Sequence, residues 1–187
     1  MINPERLQEL LLAYSEEAKL FFYAYGLANL VLDVPVDHVA IKALNRKVYD
    51  QYVQTYLPLS KMLSYEPVGP RDIACAELYI PLDAGTFGKV SLIEIMEPKP
   101  NTIATTHDLI DHIELLVPDL DPIKKALSDK GVTFKVQSNE NHTAVVIEIT
   151  EWGQEVKFTN RSLLDIAEKQ IASGSAKVIL KTDNTER

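Results

Sequence analysis

Up to Leu32 the apolar positions recur at helical spacing, and from Val36 the period shortens to two. Asn3 can cap a helix that begins at Pro4, and Leu7, Leu10, Leu11 and Tyr14 then share one face. Ser15, followed by Glu16 and Glu17, reads as a second cap, so two helices are expected, the second ending near Gly26. Beyond this prefix the signals come twice in one order. The first series is a strand at Val36 to Lys42, a helix at about Asn45 to Leu57, and β-type runs near Lys61 to Val68, Ile73 to Ile80 and Val90 to Met96. The second is a strand at Asp111 to Val117, a helix at about Leu120 to Lys130, and runs near Val132 to Val136, Thr143 to Thr150 and Glu155 to Thr159. Each half therefore reads as βαβββ, and the fold class as α+β. One domain is expected, divided into a helical prefix (1–32), two modules (33–100 and 108–160) and a C-terminal helix and tail (161–187). That helix spans about Ser162 to Ile171, and the tail after Gly174 is polar enough at its end to fray.

The repeat is visible in residues too. Asp37-His38-Val39-Ala40-Ile41 and Asp111-His112-Ile113-Glu114-Leu115 each open the first strand of their half. Side chains alternate between the faces of a strand, so Val39 and Ile41 point toward covering helices while His38 points the other way; His112 and Glu114 likewise oppose Ile113 and Leu115. In Ser91-Leu92-Ile93-Glu94-Ile95-Met96 the same rule sets Glu94 among large apolar neighbours, where an unpaired carboxylate would cost several kcal/mol. Two histidines at equivalent places in a repeat become neighbours if the halves pack about a pseudo-twofold axis. With Glu94 they would form a 2-His-1-carboxylate set suited to a divalent ion, and ligand type does not choose among Fe, Mn, Ni and Zn. Taken singly, either histidine is as readily a hydrogen-bonded structural residue.

Charge and composition narrow the partners. Asp and Glu total 27 against 19 Lys and Arg, with no basic cluster, so nucleic acid is not expected as a partner. Glu5, Glu9, Glu16 and Glu17 stand where a secretory signal needs positive charge, and the longest uncharged run, Leu20 to Leu32, is too short to span a bilayer. A cytoplasmic location without membrane contact is the expectation. The single cysteine, Cys75, reads as a small buried apolar residue on a strand.

The Asp-His-aliphatic strand, the Ser91 to Ile95 strand leading into Glu97-Pro98-Lys99-Pro100, the segment from His112 to Pro118, and Val156-Lys157-Phe158 before a closing helix together resemble the YecM family. That family looks like a branch of the vicinal-oxygen-chelate superfamily of glyoxalases, extradiol dioxygenases and bleomycin-resistance proteins. The resemblance implies paired βαβββ modules in a cupped, glyoxalase-like mixed sheet, with metal ligands on the first and fourth strands of each module; these fall on His38, Glu94 and His112. The chain departs from the pattern at the fourth ligand, where Val156-Lys157-Phe158 answers Ile93-Glu94-Ile95. A protonated lysine has no lone pair to give. Three alternatives stand: a three-ligand site with open positions, Glu155 taking over, or Lys157 meeting an anionic ligand. Glu155 and Lys157 could equally be an ordinary solvent-facing charge pair.

Of the other polar residues, Glu114 and Lys157 are the candidates for proton transfer, although a rim position suits Glu114 as well. His107 and His142 fall in loops and read as surface residues, and Tyr79 beside Glu77 is ambiguous. No phosphate loop, nucleophile elbow or Cys/His zinc motif is present. The expected function is that of a metal-dependent isomerase, lyase or dioxygenase acting on a small oxygen-rich ligand. The alternatives are a small-molecule or metal binding protein of the same fold, and a scaffold whose Phe21, Phe22, Tyr23 and Tyr25 dock a partner. A homodimer is left open.

Overall fold

The computed structural model describes residues 3–100, 110–139, 142–150 and 153–181. Asn3 caps the first helix, its side chain accepting from the Arg6 N–H at 2.8 Å, with Pro4 in the first turn. The prefix expected to hold two helices is one helix, α1 (Pro4–Ala24), running straight through Ser15. Leu7, Leu11, Tyr14, Ala18 and Phe22 continue a single buried face across that point, so burial outweighs the local cap. Ser15 instead faces inward, where its hydroxyl accepts from the Thr86 N–H at 2.7 Å.

The first module follows as β1 (Val36–Lys42), α2 (Arg46–Tyr56), β2 (Ser60–Val68), β3 (Arg71–Asp83) and β4 (Lys89–Met96). The second is β5 (Ile110–Leu116), α3 (Asp121–Asp129), β6 (Lys135–Ser138), β7 (Thr143–Glu148) and β8 (Glu155–Thr159), after which come α4 (Leu163–Ser173) and β9 (Lys177–Lys181). Among the described residues the nine strands form one mixed sheet in the order β6-β7-β8-β5-β1-β4-β3-β2-β9. Read outward from the β5/β1 junction, the two halves give the same neighbours. The register supports the pseudo-twofold relation. Antiparallel β1 and β5 meet at Val39 opposite Ile113, while Val39 pairs with Ile93 in parallel β4 and Ile113 with Val156 in parallel β8. The expected paired-module, α+β, glyoxalase-like architecture is therefore present.

One face of the sheet carries Val39, Ile41, Ile93, Ile95, Ile113, Leu115, Val156 and Phe158, packed with α1, α2 and α3 residues into the main core. The opposite face is partly covered by α4, whose Ala167, Leu163, Leu164 and Ile171 pack on Met62, Cys75 and Leu92. Cys75 is buried there, and burial pushes its thiol pKa up. The tail after Gly174 supplies β9, antiparallel to β2 with Leu63 opposite Leu180, and its end, where fraying is expected, lies outside the described residues. Lys177-Val178-Ile179-Leu180 is a β-type run, and pairing it gives partners to backbone groups on the edge of β2. Among the described residues no helix is long and apolar enough to cross a membrane.

Candidate metal centre

The two central strands set the site. In the β1/β5 register His38 lies opposite Glu114 and Ala40 opposite His112, which puts both histidines and Glu114 on the face away from the main core. The β1/β4 register adds Glu94 beside Ala40. The Nε2 atoms of His38 and His112 are 3.3 Å apart. Glu94 Oε2 is 4.0 Å from the first and 3.8 Å from the second, and Glu114 Oε2 is 4.0 and 3.9 Å from the same pair. The three residues singled out from the sequence as ligands are thus brought together, and Glu114 joins them. Glu114 is buried at 3% exposure, with no rim character.

Each ring is held from behind. His38 Nδ1 is 2.8 Å from Asp37 Oδ2, and His112 Nδ1 is 3.1 Å from Asp111 Oδ2. Asp37 Oδ2 also accepts the Leu163 N–H at 2.8 Å, so the start of α4 fixes the carboxylate that fixes His38. With an N–H on each Nδ1, both Nε2 atoms present lone pairs to the centre. Two imidazole nitrogens and two carboxylate oxygens then face one another as acceptors.

The electrostatics of the two histidines differ despite their equivalent positions. Burial lowers the pKa of both. At His38 the Asp37 hydrogen bond and the carboxylates of Glu114 and Glu94 outweigh burial, and the pKa is raised. At His112 burial and the ammonium of Lys157 win, and the pKa is lowered. Burial also works against ionised Glu114, but the hydrogen bond from His142 and the nearby His38 and His112 hold its pKa down at about 2.

Lys157 stands beside Glu114 in the β5/β8 register, as Glu94 stands beside Ala40. It therefore has the position in the second module that Glu94 has in the first. Its Nζ lies 3.5 Å from Glu155 Oε2, and its side chain is only 12% exposed. The Glu155/Lys157 pair lines the pocket and does not face open solvent. His142, read from the sequence as a surface residue, belongs to the site: its Nε2 is 2.6 Å from Glu114 Oε1. Nothing in its Asn-rich turn gave that away, because the contact joins the residue before β7 to one on β5, far apart in sequence. The aspartates behind the rings were legible in principle, since Asp-His occurs at both repeat positions. His107 lies outside the described residues. The cluster opens into a pocket of about 920 Å³, walled in part by Lys42, Ile73, Met96, Asp111 and Gln170.

Comparisons place this arrangement. The chain matches the family model described as YecM protein over residues 3–172. No curated protein matches it. Among solved structures, the structural-genomics protein EC4020 aligns with a TM-score of 0.60 and 19% identity, covering 91% of this chain and 98% of that one. A hypothetical protein from Bacillus halodurans C-125 aligns at 0.49 and 19%, covering 70% and 96%. Methylmalonyl-CoA epimerase from Mycobacterium tuberculosis aligns at 0.48 and 17%, covering 73% and 94%. At these identities the first alignment speaks for the fold and the other two add nothing to it. The family match runs from the cap of α1 into the last turn of α4 and takes in both modules and every residue of the His/Glu cluster, so the protein belongs to the YecM family.

Proposed function

We propose that the protein is a divalent-metal-dependent enzyme of vicinal-oxygen-chelate type acting on a small oxygen-rich metabolite, with His38, His112, Glu94 and Glu114 holding the ion. One observation carries this reading. The Nε2 atoms of His38 and His112 lie 3.3 Å apart, the Oε2 atoms of Glu94 and Glu114 each lie 3.8 to 4.0 Å from both, and none of these is a donor once both Nδ1 atoms are engaged. Such a group repels itself unless something positive sits among its members. Imidazole with carboxylate suits Fe(II), Mn(II), Ni(II) or Zn(II), and the aspartates behind the rings are the usual means of fixing the ligating tautomer.

When bound, the ion would supply Lewis acidity to adjacent substrate oxygens, so that an isomerisation, a lysis or a dioxygen reaction is open to it. The protein's own groups divide the rest of the work. Asp37 and Asp111 orient the rings. Glu114, ionised down to about pH 2, is a weak proton acceptor at neutral pH and a good oxygen ligand; it takes the place of the carboxylate missing at Lys157. Lys157 then remains as the proton donor on the pocket wall. The apolar side chains of Ile73 and Met96 bound the space the substrate would enter.

The raised pKa of His38 favours a second reading, in which a proton shared within the cluster replaces the ion and the pocket only binds its ligand. Metal content of protein purified without a histidine tag, followed by a Mn(II) titration of the wild type and of His38→Gln/His112→Gln, separates the two. Stoichiometric binding lost in the double variant supports the enzyme reading. Absence of binding in the wild type refutes it. Turnover of diketones, enols and catechols by the loaded protein then distinguishes catalysis from sequestration.

A further inference from the structure

Lys157 is a largely buried ammonium with three N–H donors, and among the described residues its partner is Glu155 at 3.5 Å, an ion pair without a hydrogen bond. Lys42 is more exposed, at 32%, and has Asp111 Oδ1 at 3.9 Å. Both side chains line the pocket that holds the His/Glu cluster. Asp111 ties the two together, since it feels the charge of each while its other oxygen lies against His112. A buried ammonium without hydrogen bonds is costly, and the cost is recovered when an acceptor arrives. The pseudo-symmetry shows what has changed at this spot. The first module places Ala40 and Glu94 side by side, and the second places Glu114 and Lys157 there. The carboxylate has moved one strand inward and an ammonium has taken its old position. The second module thus keeps its oxygen donor and gains a cation directed at the pocket.

We propose that Lys157, in the same pocket as Lys42, is an anion subsite that receives the carboxylate of an oxygen-bearing acid, so that the substrates are small hydroxy or oxo acids whose neighbouring oxygens face the His/Glu cluster. The assignment rests on the metal-enzyme reading for the role of those neighbouring oxygens. The carboxylate subsite itself needs only the two lysines. A charged pair of this kind selects strongly for the acid over its ester, because a neutral ester offers the ammonium a weaker acceptor and no charge.

The test uses lactate and methyl lactate, which share every oxygen and differ in charge, titrated calorimetrically into the full chain with and without Mn(II), with Mn(II) affinity measured separately. We expect the Mn(II)-loaded wild type to prefer lactate by about tenfold or more. Lys157→Met should cut lactate affinity by a similar factor, leave methyl lactate unchanged, and leave Mn(II) affinity equal or higher. Lys157→Arg should keep most of the preference and shows that the loss comes from charge and not from folding. Equal binding of lactate by wild type and Lys157→Met, or of acid and ester by the wild type, overturns the proposal. A fall of Mn(II) affinity in Lys157→Met makes the lysine a support of the cluster and overturns it as well. If the wild type takes up no Mn(II), the enzyme reading fails by itself. The subsite is then judged in metal-free protein, where lactate binding that depends on Lys157 supports it and no lactate binding refutes it.

Discussion

Glu114→Gln gives the most direct perturbation of the cluster, because it removes one charge and leaves the shape of the side chain nearly unchanged. A carboxyl held at about 2 in place of its ordinary 4.5 favours the ionised form by roughly 3 kcal/mol, at about 1.4 kcal/mol per tenfold. The amide can still accept from His142, so part of the loss is recovered and a net destabilisation near 2 kcal/mol is expected at pH 7. For a chain of this size that is a drop of about 4–8 °C in Tm. The pH dependence is the sharper signature. The folded pKa lies below the unfolded one, so the contribution is fully present above about 4.5 and is lost as pH falls through about 2. By pH 3.5 the wild type should have lost about 1.4 kcal/mol of this contribution, roughly two-thirds of its advantage over the glutamine variant, whose residue 114 does not titrate. Chemical denaturation of both proteins in EDTA, at pH 7 and pH 3.5, measures this. Repeating the pH 7 pair with Mn(II) asks whether Glu114 is a ligand, since stabilisation by a bound ion follows its affinity for the folded state. A glutamine variant as stable as wild type at both pH values would refute the electrostatic reasoning. An undiminished gain from Mn(II) would remove Glu114 from the ligand set.

Metal affinity should rise with pH through the titration of His38, because the cluster's carboxylates raise its pKa and a proton on Nε2 blocks the lone pair the ion needs; a Mn(II) affinity flat from pH 5.5 to 8 would contradict this. The sign for stability is opposite: in metal-free protein the raised pKa contributes below the unfolded value and is lost as pH climbs through the folded one. Asp37→Asn keeps the bulk but weakens the acceptor shared by His38 and the first turn of α4, and should cost about 1–3 kcal/mol in denaturant titrations together with a weaker Mn(II) response. Gly85→Ala forces a Cβ to 2.6 Å from Ser15 Oγ at a φ of +59°, so it should lower stability by about 1 kcal/mol or more, and a second change Ser15→Ala should restore part of that. An unaffected Gly85→Ala protein would mean that α1 does not seat against the β3/β4 turn as described.

The features legible from sequence were those that depend on periodicity and repetition. Alternation along Val36 to Lys42 and Asp111 to Val117 fixed which side of each strand faces the helices, and the second copy of Asp-His fixed which positions are equivalent. These are local rules, enforced by the pleat itself. The misreadings share a different cause. Ser15 carries a local capping signal, but the buried face of α1 runs past it and burial of Tyr14, Ala18 and Phe22 decides the matter. The pairing of Lys177–Lys181 with β2 is not legible locally, because β2 lies more than a hundred residues earlier. The site position of His142 is hidden for the same reason, since Glu114 reaches it only after β7 and β8 have been laid down beside β5.

Glu114 and Lys157 show where the reading by equivalence stops. Matching triplets placed Lys157 opposite Glu94 in the repeat, and the register agrees. That matching compares only the last strands, where Lys157 stands in place of a carboxylate. Ala40 and Glu114 are themselves equivalent, so the carboxylate absent from β8 has a counterpart on its neighbour β5. A metal site requires donors at a point in space and is indifferent to which strand carries them. A neighbouring strand lies about 4.8 Å away, a gap that a glutamate side chain can cross. On the proposed metal reading, duplication preserves the centre more tightly than it preserves the positions that build it, and Lys157 faces the pocket without competing for the ion.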